Sequence, residues 1–269
     1  ELAAALARAL GGTPARCGAP EGLAGWTARA FRQAEGLVFV GAAGIAVRAI
    51  APHVRSKAAD PAVVVVDEAG RFAIPLLSGH LGGANDLARR IAALLGGQAV
   101  LTTATDVRGA FAVDAWARHQ GCAVVNPAAI RRVSAKLLAG QAIALRTDWP
   151  PAGEPPPGVL LAQGADCDVR VTLRPGQTDA LVLVPRIAVL GVGCRRGTPQ
   201  AALEAAFSAL LARGDLRPQA VRKACSLDRK QDEPGLLAFC RAHGFPLETF
   251  GAPALRAVPG DFAASPFVE

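Results

Sequence analysis

Ser78, His80 and Asn85 stand within one short glycine-rich stretch, Leu77-Ser-Gly-His-Leu-Gly-Gly-Ala-Asn85, and bring together a hydroxyl, an imidazole and a carboxamide. Imidazole titrates near neutral pH, so it can take or give a proton during a hydrolysis. Gly79, Gly82 and Gly83 leave backbone N–H groups accessible to a developing oxyanion. A lone loop histidine also serves as an ordinary hydrogen-bonding residue, but its place between Gly79 and the Gly82-Gly83 pair favours chemistry. The segment Thr102-Thr-Ala-Thr-Asp106 follows the apolar run Ala99 to Leu101. Thr103, Thr105 and Asp106 therefore fall at the C-terminal end of a strand, the edge at which open parallel sheets bind ligands. A helix cap is the other use of Thr and Asp at such a point.

Three further segments carry binding chemistry. In Leu37-Val-Phe-Val-Gly-Ala-Ala-Gly-Ile-Ala-Val-Arg48, a strand runs through Gly41 and Gly44 into a helix, a turn that suits either close ligand approach or plain packing. Leu190-Gly-Val-Gly-Cys-Arg-Arg-Gly-Thr-Pro199 has the same form, with Thr198 expected as N-cap and Pro199 at the first helical position. It is a poor dinucleotide fingerprint, because Arg196 stands where the third glycine belongs and no acidic residue follows at the required distance. Gly191 and Gly193 beside Arg195 and Arg196 fit a carboxylate clamp instead. Ser226 to Glu233 alternates opposite charges ahead of a helix, and Lys230 and Glu233 there suit either an ion network at a site or a solvated helix start.

The elements that must position these groups show as short β-branched runs: 37–40, 62–66, 99–101, 123–125, 180–184 and 187–190. Most lack period-two alternation, which fits strands covered on both faces, and helical patterns such as 85–95 and 199–211 lie between them. Asp67-Glu-Ala-Gly70 marks a hairpin turn. The expected class is α/β with a mainly parallel sheet: an N-terminal three-layer α/β domain over 1–120, a middle segment over 121–185, and a C-terminal α/β domain over 186–269. The densest Pro/Gly stretch, 149–158, is a stiff turn or linker. The sequence contains no methionine and begins at Glu1, so a fragment is expected, and the helical pattern Leu2 to Leu10 lacks the strand that should precede it in an α/β unit.

Composition narrows the function. Its 269 residues are 51% hydrophobic and 19% charged, against disorder, and no apolar run approaches the roughly 20 residues of a membrane span. Neither a membrane role nor a secretory leader is expected, and the cytoplasm is the default compartment. Six cysteines without a C-x-x-C pair give neither a disulfide framework nor a zinc site, so no bound metal is expected. A net charge of +7 calls for an anionic partner. Nucleic acid is disfavoured by the lack of tyrosine and by 5% aromatics, too few for a stacking platform.

Taken in order, the segments 41–50, 57 through 60–68, 77–85, 102–106, 190–198 and 230–236 resemble the CbiG family of cobalamin biosynthesis, the cobalt-precorrin-5A hydrolases of the anaerobic route, over nearly the whole chain. The resemblance implies opening of the δ-lactone of a ring-contracted corrinoid and expulsion of a two-carbon fragment as acetaldehyde. It implies no cofactor, since cobalt arrives inside the substrate, and leaves room for other enzymes of the pathway as partners. The family pattern also has an opening strand, and a closing strand and helix beyond Glu269, that this sequence lacks; an uncovered sheet edge would follow. Within that frame His80 is the expected base, Asp106 orients it or shares its role, and Ser78 with the loop N–H groups stabilises the oxyanion. Arg48, Lys57, Arg195 and Arg196 are expected on substrate carboxylates. Gly41, Gly44, Gly79, Gly82, Gly83, Asn85, Thr103, Thr105, Gly191, Gly193, Lys230 and Glu233 are expected around the ligand. A non-catalytic corrinoid carrier and, more weakly, a nucleotide-dependent α/β enzyme are the rival readings.

Overall fold

In a computed structural model, the described residues are 1–16, 18, 21–56, 59–149, 154–164 and 166–260, so Lys57 lies outside them. They form two compact units, Glu1–Val171 with Thr178–Leu183, and Thr172–Gln177 with Val184–Glu269.

The first unit opens with helices α1 (Leu2–Leu10) and α2 (Gly22–Gln33), then β1 (Gly36–Val40), α3 (Ala43–Ile50), β2 (Ala62–Val66), β3 (Phe72–Leu77), α4 (Ala84–Leu95) and β4 (Gln98–Ala99). The four strands make one sheet in chain order, parallel at β1–β2 and β3–β4 and antiparallel at the β2–β3 hairpin. Every residue of β2 is buried. Its valines nevertheless serve two cores: Val64 and Val66 pack with Leu6, Ala88 and Ile91 on one face, Val63 and Val65 with Phe31, Phe39 and Ile50 on the other. Helices on both faces explain why the run lacks alternation. The hairpin turns at Gly70, which has φ +70°, while the Asp67 carboxylate accepts from the Phe72 N–H at 2.6 Å.

After β4 come α5 (Ala104–Val107), α6 (Val113–His119), β5 (Cys122–Val124), α7 (Ile130–Leu138), β6 (Ile143–Thr147), β7 (Val159–Leu161), β8 (Val169–Val171) and β9 (Leu181–Pro185). The second sheet has the order β5-β9-β8-β6-β7, with parallel pairing at β7–β6, β6–β8 and β8–β9. Ile143, Leu145, Val169, Val171, Leu181 and Leu183 pack from one face of it against Val113 and Ala117 of α6 and Ile130 and Val133 of α7.

The second unit is a parallel three-stranded sheet, β10 (Ala188–Gly191), β11 (Val221–Leu227) and β12 (Leu247–Phe250), with α8 (Gln200–Gly214), α9 (Pro234–His243) and the short α10 (Ala252–Arg256). Leu203 and Phe207 of α8 meet Leu236 and Phe239 of α9 over the sheet. The α/β class with mainly parallel pairing is as expected. Helix α8 begins one residue later than its sequence signals, with Pro199 as N-cap; the Thr198 hydroxyl donates to the Arg195 carbonyl at 2.8 Å instead of capping. Among the described residues no helix is long and apolar enough to cross a membrane.

Candidate functional site

β3 ends at Leu77, and the chain must turn back before α4 can pack on the sheet. Ser78 takes φ +56°, a strained conformation for a residue with a side chain, and its hydroxyl is spent on the Asp60 carbonyl at 2.8 Å. Gly82 and Gly79 are required by packing: a Cβ on Gly82 would lie 2.3 Å from the Ser78 Cβ, and one on Gly79 2.8 Å from Asn85 Oδ1. Gly83 has φ +84° and caps α4. The N–H groups of Gly83, Ala84 and Asn85 close back on the carbonyls of His80, Ser78 and Gly79. Those of residues 78–82 find no acceptor among the described residues, which leaves them as the loop's available donors.

This compressed turn aims His80 at two carboxylates. Its Nε2 hydrogen-bonds Asp106 Oδ2 at 2.8 Å, and its Nδ1 lies 3.2 Å from Asp114 Oδ1. Both ring nitrogens are therefore engaged, which suits an imidazolium. Asp114, then burial working in the opposite sense, then Asp106 set the ring's pKa, and the net result is upward. Burial disfavours the Asp114 charge, but the His80 ring beside it brings that carboxyl below its usual range.

Asp106 sits in the first turn of α5, behind the N-cap Thr103. It accepts from the hydroxyl of Thr103, the guanidinium of Arg89 and Asn85 Nδ2, the last at 2.7 Å. Burial opposes ionisation there, yet these donors and His80 hold the carboxyl at about 2. Thr105 is buried, with its hydroxyl 3.4 Å from His80 Nε2. Asp86 extends the network from α4: it pairs with Arg89 at 3.2 Å, with Arg118 and with His119 at 2.7 Å. The structure thus brings His80, Asn85, Thr103, Thr105 and Asp106 together as expected. Sequence reasoning missed Asp114, Arg89 and Asp86. Arg89 and Asp86 carried a signal, since both lie on the exposed side of an amphipathic helix directly after the histidine loop; Asp114 carried none.

Gly41, with φ +144°, and Gly44 lie where β1 passes into α3, and Arg48 is exposed on that helix, with Nη1 3.5 Å from the Gly44 carbonyl. In the second unit, Gly191 and Gly193 have no positive φ, and an added Cβ at either would meet nothing within 4 Å. Neither backbone conformation nor packing requires glycine there, which leaves open backbone beside the exposed Arg195 and Arg196. Glu233 and Lys230 serve the shape of this turn. Buried Glu233 accepts from the Gly197 N–H at 2.6 Å and pairs with Lys230 at 3.3 Å, and the Ser226 hydroxyl holds the Val192 carbonyl. No group of three metal-ligating side chains occurs among the described residues.

Family models described as Cobalamin synthesis G N-terminal, Cobalamin biosynthesis central region and Cobalamin synthesis G C-terminus match residues 25–106, 111–185 and 188–269. His80 and Asp106 lie in the first match and Asp114 in the second. A cobalt-precorrin-5A hydrolase of Salmonella typhimurium is 36% identical over 92% of this chain and 75% of its own length. Another, of Priestia megaterium, is 29% identical over 85% of this chain and 67% of its own. The crystal structure of a cobalamin biosynthesis protein G homologue from Sulfolobus solfataricus aligns over 88% of this chain and 71% of its own, at 21% identity and a TM-score of 0.40.

Proposed function

The chain belongs to the CbiG family, and from that membership we propose that it hydrolyses cobalt-precorrin-5A in anaerobic cobalamin biosynthesis. Water adds to the δ-lactone carbonyl, giving a carboxylate and a free hydroxyl on the two-carbon unit. Loss of that hydroxyl proton forms the aldehyde, the carbon–carbon bond to the macrocycle breaks, and its electron pair stays on the macrocycle as acetaldehyde leaves. Both steps need a proton acceptor, and the first needs donors for the tetrahedral oxyanion.

The observation that carries the mechanism is His80 held between Asp106 and Asp114 in a loop whose N–H groups at residues 78–82 have no acceptor among the described residues. Asp106, crowded with donors, fixes Nε2–H. When the ring loses its second proton, the Nδ1 lone pair faces Asp114 Oδ1, so uptake of a substrate proton there requires that carboxylate to turn aside from its 3.2 Å contact. We assign His80 as the base, Asp106 and Asp114 as residues that position it and set its pKa, and the unpaired N–H groups of the 78–82 loop as oxyanion donors. Asn85, Thr103 and Thr105 hold Asp106 and the ring. Ser78, tied to Asp60, shapes the loop. Arg48, Arg195, Arg196 and Lys57 are assigned to the carboxylates of the corrinoid rim, with the open backbone at Gly191 and Gly193 receiving its edge. Cobalt is read as part of the substrate, and the cytoplasm as the compartment.

The test is incubation of the chain with cobalt-precorrin-5A under anaerobic conditions and assay of the released acetaldehyde. One aldehyde per macrocycle is expected. A corrinoid bound but returned unchanged would instead indicate a carrier, a reading the hydrolase relatives do not favour.

A further inference from the structure

Resting on the corrinoid reading, we infer that Arg146 and Arg170 form a second carboxylate-binding site, on the sheet of β5 to β9, that receives an acid group of the macrocycle. β6 and β8 pair in parallel with Arg146 directly opposite Arg170. Directly opposed residues point to the same face, and like charges placed so repel each other. The core positions Ile143, Leu145, Val169 and Val171 alternate with these arginines, so the pair lies on the face turned away from α6 and α7. Arg170 Nε is buried with no acceptor among the described residues. Arg146 gives its Nη1 to the Gly164 carbonyl at 3.3 Å, which leaves four of its five N–H groups for other acceptors. Two arginines paired across adjacent strands on one face, one with an orphaned buried donor, are incomplete as a structural feature and would be completed by an anion. Their planar donor forks match a carboxylate in bidentate geometry.

The surroundings favour a carboxylate attached to a large, partly apolar body. Arg146 also lines a cavity of about 330 Å³ at the C-terminal ends of β6 and β7, with Thr147, Asp148, Trp149, Leu161 and Gln163. That edge of a parallel sheet is the usual place for a ligand. Leu160, whose side chain shares the arginines' face, is 63% exposed. A free phosphate would use the guanidiniums alone, whereas a corrinoid edge would also cover the exposed Leu160 on the same face.

The experiment titrates the full chain and its R146Q/R170Q variant with cobyrinic acid, whose rim carboxylates are free, and with its heptamethyl ester, in which they are masked. The variant is expected to bind the acid about tenfold more weakly or worse, and the ester as wild type does. Equal affinity of wild type and variant for the acid overturns the inference, as does an equal loss for acid and ester, which marks a structural defect. The single variant R146Q, altered at the more accessible arginine, should show part of the loss; no loss there, with the double variant misfolded by circular dichroism, also overturns it. Inorganic phosphate that competes with the acid at low millimolar concentration would reassign the site to a simple anion. Acetaldehyde release by the wild type, measured in parallel, reports on the hydrolase reading separately from this comparison.

Discussion

At His80 the sequence supplies an imidazole and the fold decides what it can do. Between two carboxylates the ring keeps its second proton to higher pH than a free imidazole, so its use as a base begins as pH rises through a value displaced upward by Asp114 and Asp106. The rate of acetaldehyde release should therefore climb along an alkaline limb. Asp114→Asn removes the largest upward influence and should move that limb to lower pH while leaving the plateau nearly unchanged; His80→Ala should cut the plateau by about a hundredfold or more. A pH–rate profile of the three proteins checks both, and an unmoved limb in the Asn variant would release Asp114 from its positioning role. The stability signs differ between the partners. The raised pKa of His80 contributes stability that is whole below its unfolded value near 6.5 and is lost as pH rises through the folded value. Asp106, held at about 2 instead of 3.8, contributes roughly 2 kcal/mol that is present above 3.8 and lost as pH falls through 2. Asp106→Asn should accordingly flatten the acid limb of unfolding free energy between those two values, as denaturant titrations at a series of pH values would show.

Among the elements, the turns contribute more to function than the strands they join. Gly82→Ala puts a Cβ against Ser78, whose own backbone is already strained, so the loop must move to admit it. The expected result is a drop in turnover of about a hundredfold, with roughly 1–3 kcal/mol lost from stability. Gly235→Ala would place a Cβ 2.0 Å from the Thr198 carbonyl oxygen in the second unit. It should displace the Arg195–Thr198 turn and weaken substrate binding more than it slows turnover; KM and kcat measured on both variants separate the two effects. These turns were legible because glycine, Pro and polar clusters punctuate a chain strongly. So was β2, five buried apolar residues in a row. The strands β6, β7 and β8 were not, because they are three to five residues long and two of them interrupt their apolar alternation with Arg146 and Arg170. Helix α6 was equally silent: seven residues with Val113 and Ala117 as its buried apolar pair give too little periodicity to read. Asp114 went unseen with it, since its importance comes from a residue far earlier in the chain that only the packing of α6 brings near.

At the scale of the whole molecule the governing property is net charge. A surplus of seven positive charges would be a solubility device in many proteins, but here exposed Arg195 and Arg196 flank backbone that neither packing nor conformation keeps open. If the rim of an acidic macrocycle is their target, Arg195→Gln with Arg196→Gln should raise KM by about tenfold at low ionic strength and leave kcat unchanged, as for groups that contribute uniform binding. Salt then discriminates between mechanisms. Screening shortens from about 10 Å at 0.1 M to about 3 Å at 1 M, so the gap between variant and wild type should close as salt rises if the arginines act through exposed charge. A gap that persists at high salt would mean a dry bidentate contact, and one absent at low salt would return both residues to the solvated surface. Steady-state acetaldehyde assays across that salt range, on a double variant whose Tm matches wild type, supply the measurement.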